Sequence, residues 1–472
     1  MSSLRSLLLK EGFLYFFAIF NVMFFLLWNY VMDDAFITFK YAQNFIEYFK
    51  PYYNVNSDFQ GDGQTSFLWF IILTIPFLLK ISPIFFYSAI NYILSSILIY
   101  LFAKNTFTIS SKKWLNYTYK FLAGTFFSFL LAVNAKHGLE TILYIFLLVM
   151  LLKNWRTENN TGTVLSILLF LTRPEGIVFT GIYALSLWKN KKLFWKNGFI
   201  VATSLLLFIA YKIYYFDELV PLPFIFKSSV ILDIEDVKYF VLFLILFLPV
   251  LFHSVTKKQF FYAFPLAFFL LYYSFGMERI MGFGYRFSFP LMAYLIIPFH
   301  NENLKFNKSL YKTFELGYVA VFCLIMVSFF KGIYFDFKQN SLIDYSKSME
   351  NAHIYIGKHF SKDTTATLLI SDAGAMAYYS NANCYDSFGL NDALFLKYRI
   401  EGDWDAYFKR VQEIGADYFV LLSGTEKIYY PAIDFENQVF KHYQFTPQDL
   451  YMERKFNDHY FLQVYSLKRF NK

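Results

Sequence analysis

Long apolar runs recur along the first two thirds of the chain, separated by short polar loops. A helix that crosses a bilayer needs about 20 apolar residues, within a range near 17–25. Gly12–Val31 carries no charge. It is too long for a signal peptide and lacks a small-residue cleavage site, so it reads as a retained first helix. Further runs centre on Leu94, Phe127, Leu147, Leu168, Tyr183, Leu206, Leu244, Leu266, Leu295 and Phe322. Thr65–Leu79 is apolar but short. Beyond about residue 335 the pattern changes. Thr367–Ile370 and Tyr418–Leu422 read as strands and the stretch around Trp404–Ile414 as a helix, which suggests a small α/β domain.

Composition sharpens the picture. Of 472 residues, 57% are apolar and 17% charged, against roughly 45–50% and about 25% in average soluble domains. That excludes a disordered chain and argues against an ordinary soluble enzyme. The aromatic share of 23% suits a lipid-facing protein. Two cysteines, Cys323 and Cys384, make neither a disulfide framework nor a cysteine zinc site, and both are expected to be free.

The net charge of +8 raises the question of nucleic acid. No nucleic-acid partner is expected, because the basic residues sit between apolar runs, the pattern of membrane orientation. From Gly332 onward the chain holds 15 Lys/Arg and 18 Asp/Glu, against 28 and 17 before it. If Thr65–Leu79 does not span, 17 of those 28 basic residues share one side with the N-terminus; if it spans, 15 of them move outside. The expected fold is therefore an α-helical polytopic membrane protein of about eleven crossings with its N-terminus inside. Residues 1–335 form the transmembrane domain, with a first outer loop at 32–83. Residues 336–472 form a C-terminal extracytoplasmic α/β domain.

Candidate chemistry gathers on the expected outer face. Asp33 and Asp34 follow the first helix almost directly. Paired carboxylates at a membrane boundary are costly unless solvated, paired or functional. They suit the N-terminus of a helix over Ala35–Tyr48 and equally an acid/base or metal site. Lys136-His137-Gly138-Leu139-Glu140, Thr172-Arg173-Pro174-Glu175-Gly176, Lys227 after Pro221, Glu278-Arg279 and Tyr285-Arg286 fall on the same side. A lone basic residue at a helix end ordinarily snorkels. Recurring Arg or Lys near Glu also suits a cationic pocket for phosphate. Residue physics stops at a polytopic membrane protein with an acidic and cationic outer pocket, which a transporter would share.

Asp33–Asn44, Tyr53-Asn54, Gly61, Thr65-Ser66 and Leu68-Trp69 resemble the first-loop signature of polyprenyl-phosphate-sugar-dependent glycosyltransferases of the GT-C fold, in particular the terminal arabinofuranosyltransferases. Gly138–Thr141, Thr172–Gly176, Pro221 with Lys227, Tyr285-Arg286 with Pro290, and Asp372-Ala373-Gly374 with Gly389–Asp392 resemble later blocks, so the likeness covers nearly the whole chain. Lys40, Gln64 and Leu222 depart from the family pattern.

The resemblance implies an inverting transfer from a polyprenyl-phosphate sugar to a cell-envelope glycan or lipid-linked acceptor, at the outer face of a bacterial plasma membrane. Asp33, then Asp34, would be the general base. Arg173, Arg286 and Lys227 would hold the donor phosphate, and Glu140 and Glu175 would orient those cations or bind sugar hydroxyls. No nucleotide and no obligatory metal is implied, although a divalent ion is compatible. The tail would cover the mouth of the site and help bind the acceptor. A flippase or other transporter of lipid-linked sugars would instead line a two-sided path with mid-helix ionisable residues. A scaffold subunit would need none of these side chains.

Overall fold

A computed structural model describes residues 2–57, 59–104, 113–155, 159–227, 234–256, 260–276, 283–296, 321–332, 334, 342 and 344–470. The protein is mostly helical and ends in a small sheet. The helical body runs α1 Ser2–Leu26, α2 Asp33–Tyr48, α3 Phe67–Leu79, α4 Pro83–Lys104, α5 Lys113–Lys136, α6 Thr141–Asn154, α7 Asn160–Thr172, α8 Gly176–Ser186, α9 Lys191–Phe216, α10 Leu222–Lys227, α11 Ile234–Thr256, α12 Phe260–Phe275 and α13 Ala293–Ile296, then α14 Val321–Gly332.

Among the described residues, α4 and α9 are long and apolar enough to cross a membrane. Other apolar helices are shorter: α6, α7 and α8 have 14, 13 and 11 residues. At about 1.5 Å per residue they rise roughly 16–21 Å, less than the ~30 Å hydrocarbon core. α7 and α8 stay short because Arg173-Pro174 ends α7 and Gly176 starts α8. The thirteen-residue α3 packs beside α2 with Trp69, Phe70 and Leu73 buried. The pairs Lys257/Lys258 and Glu278-Arg279, the loop with Lys305, Lys308 and Lys312, and the boundary near residue 335 lie outside the described residues.

The tail opens with α15 Tyr345–Met349 and α16 Tyr355–Phe360, joined by a π-helical turn. Then come β1 Thr367–Ile370, α17 Ala375–Tyr379, β2 Asn383–Asp386, α18 Ala393–Glu401, α19 Trp404–Glu413, β3 Tyr418–Ser423, α20 Asp434–Tyr443, β4 Leu450–Lys455 and β5 Phe461–Ser466. Strand order is β2-β1-β3-β5-β4. β1 is parallel to β2 and β3, while β5 runs antiparallel to β3 and β4. Side chains alternate across a strand. Leu368, Ile370, Val420, Leu462 and Val464 therefore join the core shared with the helical body. Leu369, Phe419, Leu421 and Tyr465 join a second core under α18–α20. Covered on both faces, β1 and β3 read as unbroken apolar runs rather than alternating ones. Cys323 and Cys384 are free.

Candidate functional site

A cavity of about 490 Å³ opens where the helical body meets the tail, within the ~300–1,000 Å³ typical of ligand pockets. On the body side it is walled by the start of α2, the α5–α6 and α7–α8 turns and the segment Phe283–Phe287. Asp33, Asp34, Glu140, Arg173, Glu175 and Arg286 all line it. Lys227 ends the short α10, and its side chain lies outside the described residues.

The aspartates occupy the first turn of α2, where the helix dipole favours negative charge; the helical and the functional readings of this pair are compatible. The start of α2 is pinned by the following turn. Met32 N–H donates to His137 O at 3.2 Å, and Trp69 Nε1 donates to Gly138 O at 3.0 Å. Gly138 has φ +83°, and a Cβ there would stand 2.7 Å from the Ala35 methyl, so only glycine fits. Glu140 is thereby delivered beside the α7–α8 turn.

Spacing alone leaves open whether Glu175 faces Arg173. Arg173 Nε lies 2.8 Å from Glu175 Oε1 and 3.7 Å from Glu140 Oε1. Tyr273 Oη donates to the same Glu175 oxygen at 3.1 Å, and the Tyr144 ring lies 5.5 Å from the guanidinium. Arg286 Nη1 donates to Asp34 Oδ2 at 3.0 Å and contacts Met32 Sδ at 2.8 Å. Each arginine thus commits one nitrogen to carboxylates. Carboxylates nevertheless outnumber cations around the cavity, so it is less cationic than the sequence suggests.

The two aspartates differ sharply. Asp33 is buried, and both its oxygens accept backbone N–H groups from the tail, Oδ2 from Gly374 at 3.0 Å and Oδ1 from Ala375 at 2.8 Å. Burial pushes its carboxyl up to about 6, against the pull of nearby His353. The Asp34 side chain is 29% exposed. Its Oδ1 makes no hydrogen bond among the described residues.

Sequence reasoning missed His353, the partner of Asp372 from the Asp372-Ala373-Gly374 block. His353, in the π-helical turn, places Nε2 3.0 Å from Asp372 Oδ2. Burial works against a charged ring, yet the hydrogen bond to Asp372 and the charge of Asp33 hold His353 above its ordinary value. A lone histidine in a polar stretch gives no signal of this. A missed pair is Lys212, near the end of α9, with Asp62 of the first loop; both are buried and in contact. His137 is fully buried beside Tyr30. Among the described residues no group of three or more His, Cys, Asp or Glu side chains is placed to hold a metal ion.

Residues 340–465 match the family described as a domain of unknown function (DUF8728). The matched stretch spans α15 to β5 and so supplies the tail wall of the cavity. No curated protein and no solved structure matches the chain.

Proposed function

We propose that the protein is a GT-C-type membrane glycosyltransferase. It moves a sugar from a polyprenyl-phosphate donor to an envelope glycan or lipid-linked acceptor at the outer face, with inversion. The observation that carries this reading is convergence. Every block assigned to the outer face that is described joins the same neighbourhood: Asp34 with Arg286, Trp69 with Gly138, Leu222 N–H with Asp62 O, Arg173 with Glu140 and Asp33 with Gly374. A multi-pass chain with these loops on one side of a plasma membrane and the tail outside it accounts for that.

In the mechanism, the acceptor hydroxyl attacks the anomeric carbon and a first-loop carboxylate takes its proton. Asp34 is better placed for this than Asp33, because it reaches the cavity with an uncommitted oxygen. Asp33 holds the tail against α2. The free guanidinium nitrogens of Arg173 and Arg286 receive the departing phosphate, which leaves as a stable anion and needs no proton. The transporter reading has Lys212 on its side, a cation within a long apolar helix. Yet Lys212 lies four residues from the α9 end, pairs with the first-loop Asp62 and lines with it a separate, smaller cavity, an ion pair at a helix end rather than a mid-helix cation on a path through the bundle.

The test is transfer in lipid nanodiscs from a panel of polyprenyl-phosphate sugars, with products read by mass spectrometry. A glycosylated acceptor from at least one donor is expected. Bidirectional movement of the lipid-linked sugar with no product would overturn the assignment. Topology gives a separate check: a reporter after Lys192 reads cytoplasmic and one after Lys338 reads extracytoplasmic.

A further inference from the structure

The tail brings its own ligand geometry. In an open sheet with parallel strands, ligands settle outside the carboxyl ends of the strands, where the chain leaves adjacent strands in opposite directions. Here β2 lies on one side of β1 and β3 on the other. Residues at the carboxyl ends of the neighbouring strands β1 and β3, Asp372 and Leu422 among them, line the cavity. The crevice that sheet topology singles out is therefore the tail wall of the site already described.

Its chemistry is distinct from the arginine wall. Asp372 is 21% exposed at its side chain, and one oxygen is held by His353. His353 is 3% exposed, and its Nδ1 is buried with no hydrogen-bond partner among the described residues. The β4–β5 turn adds Phe456, Asn457 and Tyr460 to the lining. That turn is closed by Phe456 N–H and Asn457 N–H, both donating to Tyr460 O at 2.9 and 3.2 Å. The Phe456 ring stands edge-on to His353 at 5.2 Å. A carboxylate and an amide beside aromatic rings match a neutral sugar ring, which offers hydroxyl donors at its edge and C–H groups on its faces. A lipid phosphate would be repelled by Asp372, so this wall and the arginine wall select different ligands.

We propose that Asp372, held by His353 and flanked by Phe456, Asn457 and Tyr460, binds hydroxyls of the acceptor's neutral sugar, so that the tail is the acceptor-selecting half of the site. This rests on the glycosyltransferase reading, which it deepens by naming the subsite and its ligand class.

Two measurements on the full chain in nanodiscs test it. One is saturation-transfer NMR with a panel of methyl glycosides, which needs no turnover. The other is the acceptor KM in the transfer assay. Asp372→Asn and Asn457→Ala should each raise the acceptor KM about tenfold, the scale of one lost charge-assisted or buried hydrogen bond. Donor KM should stay constant and the glycoside signal should weaken in parallel. Asn457 Oδ1 also accepts His459 N–H at 2.8 Å within the turn, so Tyr460→Ala, at an exposed lining position, keeps the test decisive if either variant fails to fold. Wild-type protein that saturates none of the glycosides, or folded variants with unchanged acceptor KM, overturns the subsite. Glycoside binding that depends on Asp372 without transfer from any donor retains the subsite and removes the transferase reading.

Discussion

The two walls of the cavity are built on opposite plans. In the helical body, polar groups neutralise one another within a few residues or across one helix contact: Arg173 with Glu175 and Glu140, Arg286 with Asp34. In the tail, polar groups are presented from strand ends and a hairpin turn, on a sheet whose two faces are packed away. Among the described residues, side-chain hydrogen bonds from the body to the tail run from Asp33, Tyr53, Asn54 and Asn56, all within 33–56. The polar attachment of the tail therefore runs along one edge of the cavity, while apolar packing in the shared core holds the rest. On the proposed function, a site made this way would separate two tasks, holding an anion and choosing a partner.

The separation breaks most visibly at the aspartate pair. Asp34→Asn removes the open carboxylate and leaves Arg286 without its ion partner. Turnover should fall by about 10²–10⁴-fold, the usual effect of a lost general base, with the tail still docked. Asp33→Asn should act on docking first, because its amide nitrogen would face N–H donors; faster hydrogen exchange in α17 checks this. If Asp33→Asn keeps the tail protected yet loses as much turnover, the two roles are exchanged.

Arg173→Ala should weaken donor binding by roughly tenfold or more, with acceptor KM unchanged, since charged hydrogen bonds contribute about 1.5–3 kcal/mol. Arg173→Lys keeps charge but loses the planar fork and should restore only part of it. Equal polyprenyl-phosphate binding by Arg173→Ala in a direct lipid-binding assay would make this arginine a strut for Glu140 and Glu175.

Gly374→Ala tests that polar attachment. A Cβ there would stand 2.1 Å from Asp33 O and 2.4 Å from its carboxylate. Overpacking of this kind costs about 1–3 kcal/mol, so limited proteolysis should release the tail at lower denaturant while α4 and α9 stay protected.

The smallest effect expected is that of pH. The folded values of Asp33, pushed up to about 6 by burial, and of Glu436, pushed up to about 8 by burial, exceed ordinary carboxylate values. His353 also stays above its ordinary value. All three mean that the folded tail binds more protons than the unfolded one, so stability falls as pH rises. The loss begins near pH 4, where an unfolded carboxylate ionises, and is complete above the highest folded value. Tail protection that increases between pH 5 and 8 would contradict the placement of these groups.

Much of this arrangement is legible in the residues. β1, α19 and most of β3 are visible because both-face burial produces plain apolar runs and α19 is strongly amphipathic. β2 and β4 are not, since Asn383-Cys384-Tyr385-Asp386 and Leu450–Lys455 are edge strands of mixed polarity; β5 is interior, but Gln463 interrupts its apolar run. The body-side candidates Asp33, Asp34, Glu140, Arg173, Glu175 and Arg286 stand out as charges at the ends of apolar runs. His353 and the Asp62–Lys212 pair do not, because their meaning depends on neighbours between 19 and 150 positions away. The family resemblance puts Asp33 first as base; sequence pattern places it on a helix end and carries no sign of the Gly374 and Ala375 N–H groups it accepts from.

The distance along the chain between Asp33 and its partners also sets an order of assembly. They are 341 and 342 positions apart. At roughly 5–20 residues per second of synthesis, the first-loop carboxylate waits some tens of seconds for the backbone that will cover it. Until then the arginine wall exists without its opposite face, so on the proposed function a partly made chain would have a place for the donor phosphate but none for the acceptor.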